Sequence, residues 1–180
     1  NNTGEVAAVA AGRNIHQYQW PGMKTLKVLG PTSDNILAVS FVGLTNQLVV
    51  GSVSGRVETW DFSTGEMTNS FQHGDREIRT ICPTPDGELF LINTMDKVVC
   101  AFDPEGRRVA PPCLDSDGVR AMDMDSSARH IALGGSNDTV IIVELNNRQN
   151  SLALPAPTGP RKDVTAVRFH PDGKRLALGR

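Results

Sequence analysis

Repetition at a fixed period constrains this chain more than any other feature of its sequence. Tyr18, Trp60, Phe102 and Glu144 stand 42 positions apart. A second column, Ile36, Ile78, Val119 and Val164, follows at spacings of 42, 41 and 45, and a third, Gly12, Ser54, Asp96 and Asp138, keeps the spacing of 42. Columns that stay in step mean that one supersecondary unit is used again and again. Such a unit cannot bury its apolar face alone and does so by stacking on its neighbours.

Each period reads as four short strands. In the second unit they fall at 36–41, 48–53, 56–61 and 67–71, separated by residues 43–46, Ser54-Gly55 and Ser63-Thr64-Gly65. These separators hold the turn formers that tight antiparallel connections need. Pro85-Asp86-Gly87 and Pro171-Asp172-Gly173 act in the same way between first and second strands, because proline presets φ and glycine accepts φ > 0. No stretch keeps a period of 3.6 with helix caps, so an all-β chain is expected. Aromatics are only 5% of the residues, which leaves Val, Ile, Leu and Ala to build the core, a mix suited to sheet.

Four strands in roughly 40 to 45 residues is the blade of a β-propeller. Residues 49–61, ending in Trp60-Asp61, resemble the second-to-third-strand signature of the WD-repeat family, and residues 169–177, opening with Phe169-His170-Pro171-Asp172-Gly173, resemble its first-to-second-strand hairpin. The resemblance implies an all-β propeller segment of four-stranded antiparallel blades, with about three complete blades and a partial blade at each end. The units are placed at 5–30 (partial), 34–71, 75–114, 117–154 and 163–180 (partial), forming one propeller segment over 1–180. A fragment of a larger propeller is the expectation; a small four-bladed ring and assembly with a second chain are the alternatives.

The family's strong blades carry a buried, hydrogen-bonded set of His, Ser or Thr, Asp and Trp. No unit here keeps all four. The Trp60 unit has Ser54 where Asp is usual, the third has His73 and Asp96 but Phe102 and Ile92, and the fourth has Glu144 in place of the aromatic. The chain is therefore expected to be a divergent member held mainly by apolar packing. Trp60, Asp61, Asp96, Phe102 and Asp138 are its expected structural residues.

Several function classes lose support. With 18 Lys+Arg against 20 Asp+Glu the formal charge is -2, which does not suit a dedicated nucleic-acid backbone binder or a polybasic membrane anchor. Cys82, Cys100 and Cys113 are odd in number and lack paired C-x-x-C spacing, so neither a disulfide framework nor a zinc site is expected, and small buried hydrophobes in a reducing compartment are. Asn137-Asp138-Thr139 fits a glycosylation acceptor and reads as a polar turn. There is no phosphate loop, no G-x-G-x-x-G, no H-E-x-x-H, and Gly51-Ser52-Val53-Ser54-Gly55 places Val53 where a nucleophile elbow needs serine. His16, His73, His130 and His170 have no second ligand at a metal spacing. No enzyme activity, cofactor or metal is expected.

Charge gives the one functional lead. The residues after the second column are Leu37, Arg79, Arg120 and Thr165. The resemblance implies that this position faces the top of the central channel, where partners dock. Arg79 and Arg120, with Arg76 and Lys162 in connecting loops and Arg56 in another turn, would then take an acidic or phosphorylated peptide through charge-assisted bonds. The competing reading pairs these arginines with Asp75, Glu77, Asp117 and Asp163 as a solvated rim. The expected function is a non-enzymatic scaffold for protein-protein interaction in a multi-subunit complex, cytoplasmic or nuclear, with neither membrane nor nucleic acid contacted directly. An RNA-associated assembly scaffold and a ligand-binding or enzymatic propeller are the alternatives, the latter drawing on Asp123, Asp125 and His170.

Overall fold

The computed structural model describes residues 5–43, 45–94, 98–109, 114–115, 118–136, 138–145, 151–154 and 162–180. All of its regular elements there are strands. Five sheets follow one another along the chain, and within each the strands pair in sequence order. The first holds β1 (Val6–Ala11), β2 (Asn14–Gln19) and β3 (Lys24–Leu29); the second holds β4 (Ile36–Phe41), β5 (Gln47–Ser52), β6 (Arg56–Asp61) and β7 (Met67–Gln72). The third holds β8 (Ile78–Pro83), β9 (Phe90–Thr94), β10 (Val98–Phe102) and β11 (Leu114–Asp115). The fourth holds β12 (Ala121–Met124), β13 (His130–Gly134), β14 (Val140–Glu144) and β15 (Ser151–Leu154), and the fifth β16 (Ala166–Phe169) and β17 (Leu176–Gly179).

Two of the strands expected in the second unit appear with the same bounds, β4 and β6, while β5 starts and ends one residue earlier and β7 runs one residue further. Shifts of this size are ordinary at element ends. The turn chemistry is as expected: Gly55 sits at φ +79° in the tight link between β5 and β6.

The chain divides into two compact units, Asn1–Asp96 with Cys100–Pro112, and Lys97–Val99 with Cys113–Arg180. In the first, Ile15, Leu29, Leu48, Val50, Trp60 and Phe62 form a buried cluster, with Ile36, Val39 and Phe41 packed on it. Phe41 and Phe62 meet edge to face with centroids 5.0 Å apart. In the second, Ala121, Ala132, Val140, Val164 and Val167 are the buried cluster.

The column of Ile36, Ile78, Val119 and Val164 has a packing basis. Ile78, Val119 and Val164 are buried and Ile36 is half-buried. Beneath two of them lies a glycine on the preceding sheet. A Cβ at Gly51 would stand 2.4 Å from Ile78 Cγ2, and one at Gly134 would stand 2.7 Å from Val164 Cγ1. Gly51 and Gly134 are equivalent residues of the second and fourth repeats. Each lets one sheet approach the next closely enough to bury a β-branched side chain.

Candidate protein-interaction surface

The residue that follows the buried column is exposed in all four units: Leu37, Arg79, Arg120 and Thr165. Leu37 and Arg79 lie at the register shifts that open the pairing of β4 with β5 and of β8 with β9, and Arg120 and Thr165 stand just before β12 and β16. In the first unit of the structure, Arg79 Nη2 lies 3.8 Å from Glu77 Oε2, and Arg76 Nε lies 3.9 Å from Asp75 Oδ1. In the second, Arg120 Nη2 lies 2.9 Å from Asp163 Oδ2, with about half of each side chain exposed. Exposed pairs of this kind contribute about 0–1 kcal/mol, so their cations stay open to exchange with another anion. Asp117 lies outside the described residues.

Two of the basic residues have further engagements. Arg56 is the first residue of β6 rather than a turn residue. Its Nη2 donates to Ser70 Oγ on β7 at 2.8 Å, and its Nε lies 3.9 Å from the buried Glu58. The guanidinium is thus spent on holding two strands together. Lys162 is exposed, but its backbone is tied down: its N–H donates to Asp138 Oδ2 at 3.1 Å and its carbonyl accepts from Asp138 N–H at 2.6 Å.

The structural residues have separate roles. Trp60 is buried in the first unit's core. Asp61 Oδ1 caps the following turn, accepting from Ser63 N–H at 2.8 Å, Ser63 Oγ at 2.6 Å and Thr64 N–H at 2.9 Å. The Ser63 hydroxyl, then the Thr64 and Ser63 amides, hold its carboxyl below the ordinary aspartate value. Phe102 is buried against Phe71 at 6.0 Å and His73 at 4.7 Å. Asp138 is buried with φ +62°, and Arg180 Nη1 approaches its Oδ1 to 3.3 Å. Asp96 lies outside the described residues.

Sequence reasoning missed Glu58. Its buried carboxylate accepts the Trp60 indole N–H at 3.0 Å on Oε2 and the Ser33 amide at 2.9 Å on Oε1. The expectation of a unit held mainly by apolar packing gains a polar element at this point: an acid two residues before the tryptophan, on the same face of the same strand, accepts the indole N–H inside the apolar cluster. The signal was present as an acid inside an otherwise buried strand.

Cys100 needs a second correction. It is disulfide-bonded, and its partner lies outside the described residues. Spacing along the chain does not report which Cβ atoms the fold brings together, and that geometry decides disulfide formation. The cysteine argument for a reducing compartment falls with it. Cys82 is buried, and Cys113 lies outside the described residues.

The acids considered for an enzymatic propeller each serve the fold. Asp123 accepts from Arg168 Nη1 at 2.9 Å and from the Phe169 amide at 2.6 Å, tying β12 to β16. Asp125 is buried in the β12–β13 turn, where it takes the Arg129 and His130 amides, the Ser127 hydroxyl and His130 Nδ1, the last at 3.1 Å. His170 meets Asp172 at 3.0 Å in the β16–β17 turn. Among the described residues, no three His, Cys, Asp or Glu side chains are arranged to hold a metal ion. None of the helices expected of a membrane span occurs among them either.

Antiparallel meanders that recur at close to 42 residues, four-stranded in three of the five sheets, have the architecture of β-propeller blades. The chain is similar to WD-repeat proteins of that class. The WD40 family (WD domain, G-beta repeat) matches residues 153–179. The chain is 22% identical over 159 residues to eukaryotic translation initiation factor 3 subunit I of Bombyx mori, covering 82% of this chain and 48% of that protein. It is 26% identical over 171 residues to Echinoderm microtubule-associated protein-like 3 of Mus musculus, covering 93% of this chain and 18% of that protein. The crystal structure of the Cps50 (Swd1) beta-propeller domain of Myceliophteria thermophila superposes with a TM-score of 0.78 at 16% identity, over 99% of this chain and 60% of that one. The chain thus spans about half the length of the initiation-factor relatives it matches.

Proposed function

We propose that this chain is a non-enzymatic scaffold, an intracellular component of a multi-subunit complex, whose top-face loops dock acidic or phosphorylated segments of other proteins. The units at 5–30, 34–71, 75–114, 117–154 and 163–180 act as blades of one propeller segment in this reading. The observation that carries it is the repeated position of Arg79 and Arg120. Each follows a buried column residue directly, is exposed, and is held by an ion pair with a partly exposed acid. A guanidinium in that state exchanges a weak surface partner for a bidentate carboxylate or phosphate at little cost. Arg76 adds charge in the loop before β8 and Lys162 in the loop before β16, whereas Arg56 contributes to strand pairing. A subunit named among the relatives agrees with a role in assemblies.

The test is a pull-down comparing the wild type with an Arg79→Glu, Arg120→Glu double variant at physiological salt. Partners are lost from the double variant while its folding, read by circular dichroism, is unchanged. Retention of every partner refutes the top-face reading. Partners that prove to be RNA, with affinity falling steeply as salt rises, would replace it with a nucleic-acid role.

A further inference from the structure

The first unit carries an apolar side chain at the position that Arg79 occupies one repeat later. Leu37 stands 42 residues before Arg79 and is 46% exposed. Each is the extra residue of a β-bulge. The pairing of β4 with β5 steps from Ile36↔Ser52 to Ala38↔Gly51, and that of β8 with β9 from Ile78↔Thr94 to Thr80↔Asn93. A bulge re-aims the side chain it carries, and here it does so at one place in two successive repeats. Among the described residues, the other exposed large apolar side chains of this unit belong to the first sheet and its turns or to the edge strand β7. Leu37 alone shares a strand position with a charged residue of the next sheet.

Spacing and charge define what fits. β8 lies against β4 and β5. Stacked sheets are about 10 Å apart and an extended chain rises about 3.3 Å per residue, so a segment covering Leu37 reaches Arg79 within three residues. The close approach at Gly51 and the length of the guanidinium side chain make two residues sufficient as well. Arg79 Nη2 meets Glu77 at 3.8 Å and Arg76 Nε meets Asp75 at 3.9 Å, both beyond hydrogen-bond length. Residues 75–79 thus hold two cations and two acids. An incoming carboxylate adds one negative charge beside Asp75 and Glu77, whereas a phosphate adds nearly two and meets more repulsion. The balance therefore favours a carboxylate.

We propose that Leu37 and Arg79 form one docking site for an extended segment of a partner protein, in which an apolar residue on Leu37 stands two or three positions from an Asp or Glu on Arg79. The proposal rests on the reading of Arg79 as a docking residue and adds a selection that charge alone does not give. The carboxylate takes the guanidinium through charge-assisted bonds, which fix orientation and weaken with salt. Burial of the apolar residue against Leu37 supplies a contribution that salt does not screen.

The test selects a random dodecapeptide library, displayed on phage, against the 180-residue protein. The most enriched peptide is then labelled with fluorescein and titrated by anisotropy. Enriched sequences should share an apolar residue two or three positions from an Asp or Glu. Leu37→Ser should weaken binding by about fivefold to tenfold, the effect of losing burial on one half-exposed leucine, and Leu37→Met should retain it. Serine in place of the peptide's apolar residue should weaken binding to the wild type by the same factor, a measurement that needs no protein variant. The two changes together should cost no more than either alone, because they remove one contact. Phosphoserine in place of the peptide's acid should bind no tighter. Acid-rich winners without the apolar residue, or additive effects of the two serine changes, overturn this proposal and leave the docking role of Arg79 standing. Winners indifferent to Arg79→Glu overturn both readings. Tighter binding of the phosphoserine peptide assigns the site to a phosphate and overturns the carboxylate, and a library with no enrichment overturns the site itself.

Discussion

Replacing Gly51 by alanine tests whether sheet-to-sheet approach sets the stability of the first unit. The added Cβ would stand 2.4 Å from Ile78 Cγ2 and 2.8 Å from Ile78 Cβ. Ordinary contact is about 3.5–4 Å, so the overlap exceeds 1 Å at one atom. Relief is hard to find. Ile78 is fully buried, its β-branched side chain is stiff, and it pairs with Thr94 in the ladder of β8 on β9. Swinging the end of a flexible side chain aside is not an option, because the contacts are to Ile78 Cβ and Cγ2; a strand has to shift. Overpacking of a core costs about 1–3 kcal/mol, and a second close contact to a Cβ puts this case near the upper end. A loss of about 3 kcal/mol lowers the folded-to-unfolded ratio by roughly a hundredfold and Tm by roughly 6–12 °C. Urea unfolding followed by the fluorescence of buried Trp60 measures it. Gly74→Ala is the control, since no atom lies within 4 Å of its Cβ, and it should fall within about 0.5 kcal/mol of wild type. In an Ile78→Ala background, which removes Cγ2, Gly51→Ala should cost clearly less than it does alone. If Gly51→Ala unfolds with the wild-type midpoint, the close-approach argument is wrong.

Three further outcomes follow from the polar contacts. Glu58→Ala strands the indole N–H of buried Trp60 and should cost about 1–3 kcal/mol in urea unfolding, whereas Glu58→Gln keeps an acceptor and should cost less. Asp123→Ala removes the acceptor of the Phe169 amide and should destabilise the second unit by about 1–3 kcal/mol; Arg168→Ala, which loses only an exposed guanidinium, should cost under about 1 kcal/mol. Burial works to raise the Asp125 carboxyl, but the His130 amide, the Ser127 hydroxyl, the His130 ring and the Arg129 amide together hold it below its ordinary value. A depressed folded pKa contributes stability that is complete above the unfolded value of about 3.9 and is lost as pH falls through the folded one. Asp125→Asn should therefore flatten the acid limb of a plot of unfolding midpoint against pH, and an unchanged limb would refute the assignment.

The class of fold was legible because its signals are local. Alternation of apolar and polar residues sets strand faces, and Gly, Pro, Asn and Asp set the turns, so the period of 42 and the bounds of β4 and β6 follow from residues near each other in the chain. The position of Arg79 and Arg120 was implied by the family resemblance, and the structure leaves both side chains exposed. What escaped was every feature made by residues distant in sequence. Glu58 meets Ser33, 25 positions away, and Asp123 meets Phe169, 46 away. The disulfide of Cys100 likewise depends on geometry that spacing along the chain does not report.

By itself, then, the sequence determined the repeat, the strands and which side chains turn inward, since these depend on backbone preferences and burial over a few residues. The tertiary structure decided which polar groups meet. It made Arg56 a strand tie rather than a loop cation, brought the Ser33 amide to the acid that holds Trp60, and set two pairs of sheets so close that neither Gly51 nor Gly134 leaves room for a methyl group. The physical reason is that partner choice is settled by distance across packed sheets, and a linear order of residues does not encode that distance until the sheets have stacked.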